Sequence, residues 1–512
     1  MEMNAASVLV DANVEAGRGE NTAICDLGQD RTYTYREVME MTNRAGNALK
    51  ELGVRMEDRV LLLLFDSSEF VFSFFGAIKI GAVPIPTNTQ LKAEEYEYLL
   101  NDCRARVLVV NEALLEKIEP IRHKLRYLRH IVVVGEPHNE QLSFAELVDA
   151  ASSELTAEMM SPDDACFWLY SSGTTGFPKG AVHLQHDMIV AADLYARPTL
   201  GITENDRTFS VAKLFFAYGL GNGLYFPFRV GAATILYPDR PEPLKVYEAI
   251  QEHRPSIFFG VPTSYAKMLA VEGAEDQFDT SSIRLCVSAG EALPPALFER
   301  WQTRFGVEIL DGIGSTEILH IFISNKAGRV KPGSTGEVVP GYEAKIVDEE
   351  GRDLPPGEIG DLLIKGDSTM AFYWNKHEQT KAALLGDWIR TGDKYSVDED
   401  DYFWYQGRTD DMLKVSGMWL SPLEVENVLV EHSAVLESAV IGMANPDGLI
   451  KPKAFVVLKN GQGGFDSLRD ELQDLVKAKI GAHKRPHWIE FIADLPKTAT
   501  GKTQRYKLRE LA

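Results

Sequence analysis

Cysteine is scarce in this sequence. Its 512 residues contain 4 cysteines, Cys25, Cys103, Cys166 and Cys286, which lie far apart and form no CxxC pair. Cysteines spaced in this way argue against a disulfide framework and against a zinc ribbon. The sequence therefore fits a reducing compartment, and we expect a cytoplasmic protein.

Long hydrophobic runs are also missing. The most apolar stretch, residues 70–86, is interrupted by Lys79, Pro84 and Pro86. It is too short and too broken to span a bilayer as a helix. Residues 1–20 show no basic segment followed by an apolar core, so the sequence predicts no signal peptide. We expect no membrane partner.

Basic residues are outnumbered, since 53 Lys and Arg stand against 75 Asp and Glu, a net charge of −22. Such a surface repels phosphate backbones and anionic lipids, which excludes a general nucleic-acid binder. The excess of acidic residues is unevenly distributed along the chain, because residues 411–512 hold 14 basic and 13 acidic residues. The composition is otherwise globular, with 45% hydrophobic and 25% charged residues.

Alternating strand and helix patterns occupy the first hundred residues. The apolar run from Val60 to Phe65 predicts a strand that is buried on both faces. Helical spacing over residues 38–52 precedes it and ends at Gly53, a typical C-terminal cap. Repetition of this pattern predicts an α/β fold of mostly parallel sheets covered by helices.

The pattern changes twice further along the chain. From about Gly333, short strands at Val338, Tyr342–Val347 and Asp361–Ile364, separated by Gly and Pro turns, indicate a β-rich subdomain. A further hundred residues with their own strands and helix, an α+β pattern, follow the segment Arg408-Thr-Asp-Asp411. We therefore predict a large domain over residues 1–409, β-rich from about 333, and a small domain over 410–512.

The sharpest local signal is the segment Tyr170-Ser-Ser-Gly-Thr-Thr-Gly-Phe-Pro-Lys-Gly180. Its glycines let backbone N–H groups turn inward, its hydroxyls add donors and Lys179 adds a charge, as a polyphosphate site requires. It differs from a Walker loop, because Gly180 stands where Ser or Thr is needed. A flexible linker is the alternative, but strand patterns on both sides favour a tethered loop.

Together with five later segments, this loop resembles the adenylate-forming superfamily of acyl-CoA synthetases, luciferases and peptide-synthetase adenylation domains. The later segments occur in the family's order and are Ser288–Leu293, Asp311–Glu317, Thr391–Asp393, Gly407–Gly417 and Pro496–Lys502. The resemblance is strongest to benzoate-CoA ligases, through Lys213–Asn222, Asp311–Phe322 and Arg408–Ser421. It implies that superfamily's fold, with a mobile C-terminal domain that turns at the hinge Asp410.

The resemblance also implies an ATP site with Mg²⁺. It assigns Glu317 to the metal and Thr316 to the α-phosphate, and carboxylate oxygen is a suitable Mg²⁺ ligand. Asp393 is expected to accept hydrogen bonds from the ribose hydroxyls, and Arg408 to contact ribose or phosphate. The remaining expected contacts to ATP or AMP are Ser171, Ser172, Gly173, Thr174, Thr175, Lys179, Gly290, Glu291, Ala292, Asp311, Gly312, Ile313 and Lys502.

Two lysines are implied to serve successive steps. Lys502 would stabilise charge on the carboxylate and α-phosphate during adenylation, and Lys414 would reach the site after the small domain turns. Coenzyme A is expected at Ser416, Gly417, Lys477 and Lys479. Residues 477–509 form a basic edge of nine Lys or Arg against two acids, so Lys484 and Arg485 are further candidates. A solvated basic face is the alternative.

The resemblance places the acyl pocket at Ala217, Tyr218, Gly219, Gly314, His320 and Ile321. This set is small and mostly apolar, which suits an aromatic ring. His320 either hydrogen-bonds the carboxylate or is a core histidine. Many relatives carry a histidine at the position of Phe216, so the gating role of that histidine is not carried over to this sequence. The same segment also lacks the Asp with which amino-acid-activating relatives bind the α-amine of their substrate, which argues against an amino-acid substrate. His183 and His186 lack a third ligand nearby, so we expect no metal there.

The implied reaction is that of a benzoate-CoA ligase, which forms benzoyl-CoA, AMP and pyrophosphate through an acyl-adenylate. Another aryl or alicyclic acid, such as 4-hydroxybenzoate or cyclohexanecarboxylate, is an alternative because apolar pockets reject an added hydroxyl weakly. A second alternative is an adenylation module that transfers the acyl group to a carrier protein. A non-catalytic binding protein would lack Lys502 or Glu317, and both are present. A monomer and a homodimer both remain open.

Overall fold

The computed structural model describes residues 3–138, 140–171, 178–409, 411–415, 418–445, 449–459, 465–497 and 503–511. The strands, numbered in chain order, are β1 Thr22–Asp26, β2 Arg31–Thr34, β3 Arg59–Leu63, β4 Val83–Pro86, β5 Val107–Asn111, β6 His130–Val134, β7 Leu142–Ser143, β8 Ala165–Ser171, β9 Lys179–Leu184, β10 Arg207–Ser210, β11 Ala233–Leu236, β12 Ile257–Gly260, β13 Leu285–Ser288, β14 Ile309–Gly314, β15 Ile321–Ser324, β16 Glu337–Val338, β17 Glu343–Val347, β18 Gly360–Lys365, β19 Phe372–Tyr373, β20 Leu384–Leu385, β21 Trp388–Val397, β22 Phe403–Arg408, β23 Leu413–Val415, β24 Met418–Leu420, β25 Val435–Ala444, β26 Ile450–Leu458 and β27 Trp488–Phe491.

The α-helices, again in chain order, are α1 Tyr35–Glu51, α2 Ser68–Lys79, α3 Ala93–Asp102, α4 Phe144–Ala150, α5 Asp187–Ala191, α6 Ala217–Leu220, α7 Phe226–Val230, α8 Pro243–His253, α9 Pro262–Leu269, α10 Ala274–Gln277, α11 Pro295–Phe305, α12 His377–Ala383, α13 Pro422–Glu431, α14 Phe465–Ile480 and α15 Arg505–Leu511. Short 3₁₀ segments are Glu112–Lys117, Glu119–Lys124, Thr316–Ile318 and Ala482–Lys484. Short π segments are Ser7–Asp11, Val14–Arg18, Ala192–Ala196 and Gly221–Tyr225.

Two mostly parallel sheets form the body of the molecule, as the sequence predicts. The larger runs in the order β16-β15-β14-β13-β12-β10-β11-β1-β2, and its central strands from β14 to β1 are parallel. The second runs β4-β3-β5-β6-β7 with parallel pairing throughout. Parallel strands buried on both faces require helices above and below, so the predicted α/β class is confirmed.

Helices α1 and α2 pack closely against each other beside these sheets. A capping box starts α1, in which Glu37 N–H donates to Thr34 Oγ1 and Thr34 N–H donates to Glu37 Oε2. The helices meet at Gly46 and Gly76, where a Cβ added to Gly76 would lie 2.8 Å from the Gly46 nitrogen. Only glycine permits this approach, and the helical pattern before Gly53 is confirmed.

The apolar stretch that begins at residue 70 is an internal element. Helix α2 is buried along almost its whole length, and its terminal Lys79 donates to Asp11 Oδ1 at 2.6 Å. A buried ammonium needs such a partner. Along the described residues, no helix combines the length and the apolar character that crossing a membrane requires.

Antiparallel strands follow, with one difference from the sequence-based expectation. The sheet β17-β18-β21-β20, with β22 on β21, supplies the expected β-rich part. Val338, however, lies on β16 and pairs with Ile323 of β15. This short strand therefore extends the edge of the largest sheet, because antiparallel pairing with β15 satisfies its backbone there.

The C-terminal part has its own sheet and core. Strands β25 and β26 are antiparallel, β26 and β27 are parallel, and β23 and β24 form a hairpin. Helices α13 and α14 cover the sheet and bury a separate cluster that includes Leu429, Val440, Leu472 and Val476. This is the α+β pattern that the sequence predicts.

Candidate active site

The glycine-rich loop is held at its base by two paired strands. Strands β8 and β9 are antiparallel, and Ser171 at the end of β8 pairs with Lys179 at the start of β9. The loop therefore begins and ends at one place in the fold. Residues 172–177 lie outside the described residues, and with them the expected phosphate contacts Ser172, Gly173, Thr174 and Thr175.

Glu317 lies directly beside the base of this loop. Its Oε1 accepts hydrogen bonds from Ser171 Oγ at 3.1 Å and from the Tyr373 hydroxyl at 2.8 Å. The Lys179 ammonium lies 4.3 Å from the centre of the Tyr373 ring, a cation–π distance. Segments more than a hundred residues apart thus converge on one carboxylate.

The turn that carries Glu317 is a strained one. Ser315 Oγ accepts from Ile318 N–H at 3.2 Å, which caps the short 3₁₀ segment. Leu319 then adopts φ 74° and ψ −46°, a conformation that non-glycine residues rarely occupy and that costs about 1–3 kcal/mol. Strain of this kind persists where the surroundings hold it in place, and active-site turns are common examples.

The donor set at Glu317 fits a magnesium ion that is shared with a nucleotide. No group of three or more metal-ligating side chains gathers among the described residues. Mg²⁺ commonly takes one or two carboxylates and fills its other positions with phosphate oxygens and water. One carboxylate beside the base of the glycine-rich loop fits that requirement.

Asp393 and Arg408 face each other across β21 and β22. They are direct cross-strand partners, and Arg408 Nη1 donates to Asp393 Oδ1 and to the Thr391 carbonyl, both at 3.1 Å. Gly392, directly before Asp393 in the chain, has φ +77°, and a Cβ on it would lie 2.9 Å from Arg408 Nη2. The guanidinium orients the carboxylate of Asp393, as binding of two hydroxyls requires.

The expected adenine-side residues lie at the carboxyl ends of β13 and β14. Asp311 pairs in register with Ser288, and its Oδ2 accepts from Leu293 N–H at 3.3 Å. Burial raises the pKa of Asp311 well above its ordinary value. Its Oδ1 is buried and has no hydrogen-bond partner among the described residues. Gly290, Glu291 and Ala292 follow β13 directly, and Gly312 and Ile313 continue β14.

The expected acyl-pocket residues come together from two segments. Ala217, Tyr218 and Gly219 lie in α6, while Gly314, His320 and Ile321 flank the Glu317 turn. The Tyr218 hydroxyl donates to the carbonyls of Gly260 at 3.1 Å and Val287 at 3.2 Å. Its ring is thereby fixed against β12 and β13.

His320 is a buried core residue. It is 2% exposed, and its Nε2 lies 3.2 Å from the Tyr218 carbonyl and 3.1 Å from Asn222 Oδ1. Its ring centre lies 5.7 Å from that of Tyr195 and 4.4 Å from that of Phe226. The geometry favours the core role for His320 over contact with the substrate carboxylate.

The burial of His320 predicts acid sensitivity. Burial lowers its pKa from 6.5 to about 3. A folded-state pKa below the ordinary value gives a contribution that is fully present above pH 6.5 and is lost as the pH falls. At about 1.4 kcal/mol per pH unit, roughly 2 kcal/mol should disappear between pH 6.5 and pH 5. Urea unfolding at the two pH values measures this loss.

The matched variant for that test is His320→Asn, which keeps a polar side chain but cannot be protonated in this range. Its unfolding free energy should fall less between the two pH values than that of the parent protein. Equal pH dependence of parent and variant would remove His320 as the cause.

The expected lysine and coenzyme A residues are only partly described. Lys502, Asp410, Ser416 and Gly417 lie outside the described residues, and Lys414 lies on β23. The residue after Lys502 is informative, because Thr503 N–H donates to Glu291 Oε1 at 2.8 Å. The residue that follows the expected catalytic lysine therefore contacts the segment that is expected to lie beside adenine.

The basic edge is partly neutralised by acidic neighbours. Lys479 forms an ion pair with Glu431, and Lys484 forms one with Glu424. Arg485 Nη2 donates to Gln473 Oε1 at 2.5 Å, and Lys477 is exposed on α14. Among the expected coenzyme A lysines whose side chains are described, Lys477 alone forms no ion pair with the described residues.

Several side chains at the site carry no sequence signal of their own. Tyr373 reaches Glu317 because β19 pairs with β9, a contact that no local pattern indicates. Asn222, which lies beside His320, is the last residue of the segment Lys213–Asn222, so that motif could have suggested it as a site residue. His183 hydrogen-bonds to Asp187 and to the Thr316 carbonyl, and His186 to the carbonyls of Pro162 and Asp367.

Comparison with known families decides the assignment. The AMP-binding enzyme family matches residues 10–374, and the AMP-binding enzyme C-terminal domain matches residues 424–502. The chain belongs to the AMP-binding enzyme family. The resemblance to adenylate-forming enzymes that the motifs indicate is thereby confirmed.

Curated relatives of this AMP-binding enzyme extend over its whole length. A benzoate–CoA ligase from Thauera aromatica is 52% identical over 509 residues, 99% of this chain and 95% of the relative. A 4-hydroxybenzoate–CoA/benzoate–CoA ligase from Rhodopseudomonas palustris is 44% identical over 512 residues, 100% of this chain and 94% of the relative.

Solved structures agree in fold. The anthranilate CoA ligase AuaEII, in complex with anthranoyl-AMP, has a TM-score of 0.96 at 48% identity and covers 100% of this chain and 97% of that one. A benzoate CoA ligase from Burkholderia xenovorans LB400 has a TM-score of 0.92 at 46% identity, with coverage of 99% and 100%. The expected adenylate-forming fold is confirmed.

Proposed function

We propose that this AMP-binding enzyme is an AMP-forming ligase that joins an aromatic carboxylate, benzoate, to coenzyme A. One observation carries the proposal. The turn that holds Glu317 continues directly into His320 and Ile321, so the residues proposed for the phosphates and those proposed for the acyl group lie in one turn. The carboxylate of a ring bound there would lie next to the α-phosphate. Relatives named for benzoate support the choice of ring.

In the first step, the carboxylate attacks the α-phosphorus of ATP, the bond to the β-phosphate breaks, and pyrophosphate leaves. Glu317 would hold Mg²⁺, which neutralises charge on the phosphates. Ser171, Lys179 and the loop between them would orient the phosphates, Thr316 the α-phosphate, and Asp393 with Arg408 the ribose. Positioning and charge stabilisation are the main contributions that proteins make to phosphoryl and nucleotidyl chemistry.

In the second step, the thiol of coenzyme A attacks the acyl-adenylate and AMP leaves. We propose that the C-terminal domain, residues 410–512, turns at Asp410 between the steps. The contact between Thr503 and Glu291 would then break, Lys502 would leave, and the segment from Lys414 to Gly417 would line the path of the thiol. A short loop that absorbs backbone rotation is the usual form of such a hinge.

Coenzyme A-dependent AMP release with benzoate tests the proposed function. We expect release that requires benzoate, ATP, Mg²⁺ and free coenzyme A together. A carrier-loading module would form the adenylate but would transfer it to a carrier protein in place of free coenzyme A. A panel with 4-hydroxybenzoate, anthranilate and cyclohexanecarboxylate ranks the other ring acids.

We further propose a cytoplasmic monomer or homodimer without nucleic-acid or membrane partners.

Charge reversal at Lys477 tests the coenzyme A edge. Lys477→Glu should raise the KM for coenzyme A roughly tenfold, since one phosphate contact at a partly screened site accounts for about 1.4 kcal/mol. The KM values for ATP and benzoate should not change. Lys267→Glu, at an exposed position of the large domain, is the control. An unchanged KM for coenzyme A would leave the basic edge as a solvated surface.

A further inference from the structure

A buried histidine and a buried carboxylate lie directly behind the Glu317 turn. His183 on β9 is fully buried, and so is Asp187 at the start of α5. The Nδ1 of His183 lies 2.7 Å from Asp187 Oδ2, and its Nε2 lies 2.8 Å from the carbonyl oxygen of Thr316. The ring of Phe167 stacks on the imidazole with centres 5.2 Å apart. The imidazole is therefore fixed in position and orientation.

Both partners of this imidazole are hydrogen-bond acceptors. A backbone carbonyl has no proton to give, so His183 Nε2 donates to the carbonyl of Thr316. On the other side of the ring, Asp187 Oδ2 also accepts from Leu184 N–H at 3.0 Å. Removal of His183 alone would take from this buried carboxyl group its hydrogen-bond partner on the imidazole, which is costly.

Three successive backbone carbonyls of the Glu317 turn, those of Thr316, Glu317 and Ile318, are hydrogen-bonded to other segments. The oxygen of Thr316 is held by His183, that of Glu317 accepts from Met370 N–H at 2.7 Å, and that of Ile318 accepts from Ser368 Oγ at 2.8 Å. The strained Leu319 follows at once. Because a peptide unit is planar, fixing the Thr316 carbonyl fixes the plane from which both Thr316 and Glu317 project.

We propose that His183 is a positioning residue for adenylation. Through its hydrogen bond to the Thr316 carbonyl, and oriented by Asp187, it sets the directions of the Thr316 hydroxyl and the Glu317 carboxylate. This inference rests on the proposed function, in which these two groups meet the α-phosphate and Mg²⁺. It assigns a role to a residue whose sequence pattern suggests only a surface or core histidine.

Paired variants separate positioning from folding. Asp187→Asn replaces the carboxyl group by an amide of similar shape, so position 183 can then be changed without leaving a buried carboxyl group beside an apolar side chain. In H183Q/D187N, the glutamine amide takes the place of Nε2 and can still donate to Thr316. In H183L/D187N no donor remains. The two double variants therefore differ in the hydrogen bond while sharing the same neutral partner.

We expect H183Q/D187N to keep benzoate-dependent pyrophosphate exchange within about fivefold of the parent, since the donor is retained. H183L/D187N should lose about 100-fold in kcat, the size of effect that a misplaced catalytic group produces. Its KM for benzoate should stay unchanged, and its half-saturating Mg²⁺ concentration should rise. Equal kcat values and equal Mg²⁺ dependence in the two variants would overturn the proposal.

Binding supplies a second readout that needs no turnover. Calorimetry of ATP with and without Mg²⁺ should show a gain in affinity from the metal in H183Q/D187N and little gain in H183L/D187N. Should the leucine variant fail to fold, H183N/D187N replaces it, because the shorter amide reaches position 187 but not Thr316. If the parent protein shows no pyrophosphate exchange with benzoate or another aromatic acid, the proposed function is refuted. The calorimetric comparison of ATP binding with and without Mg²⁺ would still decide the role of His183.

Discussion

Replacing Lys502 by alanine is expected to abolish benzoate-dependent pyrophosphate exchange while sparing thioester formation from supplied benzoyl-adenylate. The residue that follows it, Thr503, contacts Glu291 at 2.8 Å, and Glu291 lies in the segment proposed to bind the nucleotide. Loss of a charge that stabilises the transition state should slow adenylation at least about 100-fold. The second step should stay within about threefold, because the lysine is proposed to leave before it.

The two half-reactions are measured on the same preparation, which separates a catalytic loss from a folding defect. Lys507→Ala provides the control, since Lys507 is an exposed lysine on the following helix α15. Its effect on either half-reaction should be small. Equal losses in both half-reactions for Lys502→Ala would contradict the assignment of this lysine to the first step alone.

Replacing Glu317 by glutamine is expected to lower pyrophosphate exchange about 100-fold or more, because an amide is a poor substitute for a carboxylate ligand of Mg²⁺. The amide oxygen can still accept from Ser171 and Tyr373, so the turn itself should persist. The half-saturating Mg²⁺ concentration should rise together with the loss of rate. Exchange rates measured across a Mg²⁺ titration check both expectations.

Two variants place that result in context. Glu378→Gln removes an exposed carboxylate on α12 and should change nothing. Tyr373→Phe deletes only the hydroxyl that donates to Glu317 and should cost less than Glu317→Gln. A Glu317→Gln enzyme with the parent's Mg²⁺ dependence would show that the metal is held elsewhere.

The class of fold could be predicted from the sequence because its signals are local. The apolar run at Val60 and the helical spacing before Gly53 each reflect burial along one element. Val338 shows where this stops, since its pairing with Ile323 depends on the path of the chain between them. A two-residue strand looks the same in a β-rich subdomain and at the edge of a parallel sheet.

The candidate site shows the same division. Motifs point to Glu317, Asp393 and Arg408, because each lies in a recognisable segment. Tyr373 is brought to Glu317 by the pairing of β19 with β9 across nearly two hundred residues, so no local pattern contains it. The tie between His183 and the Thr316 carbonyl is equally non-local. Side chains that support a site from behind need the fold before they can be named.

This enzyme activates an aromatic carboxylate for transfer to coenzyme A. The activity is tested most sharply by comparing kcat/KM for benzoate and for a linear acid such as hexanoate, from AMP release that depends on coenzyme A. We predict that benzoate is preferred by about 100-fold or more, because the residues expected to line the acyl site are small and mostly apolar and suit a flat ring better than a flexible chain. A linear acid that turns over faster than benzoate would contradict the account.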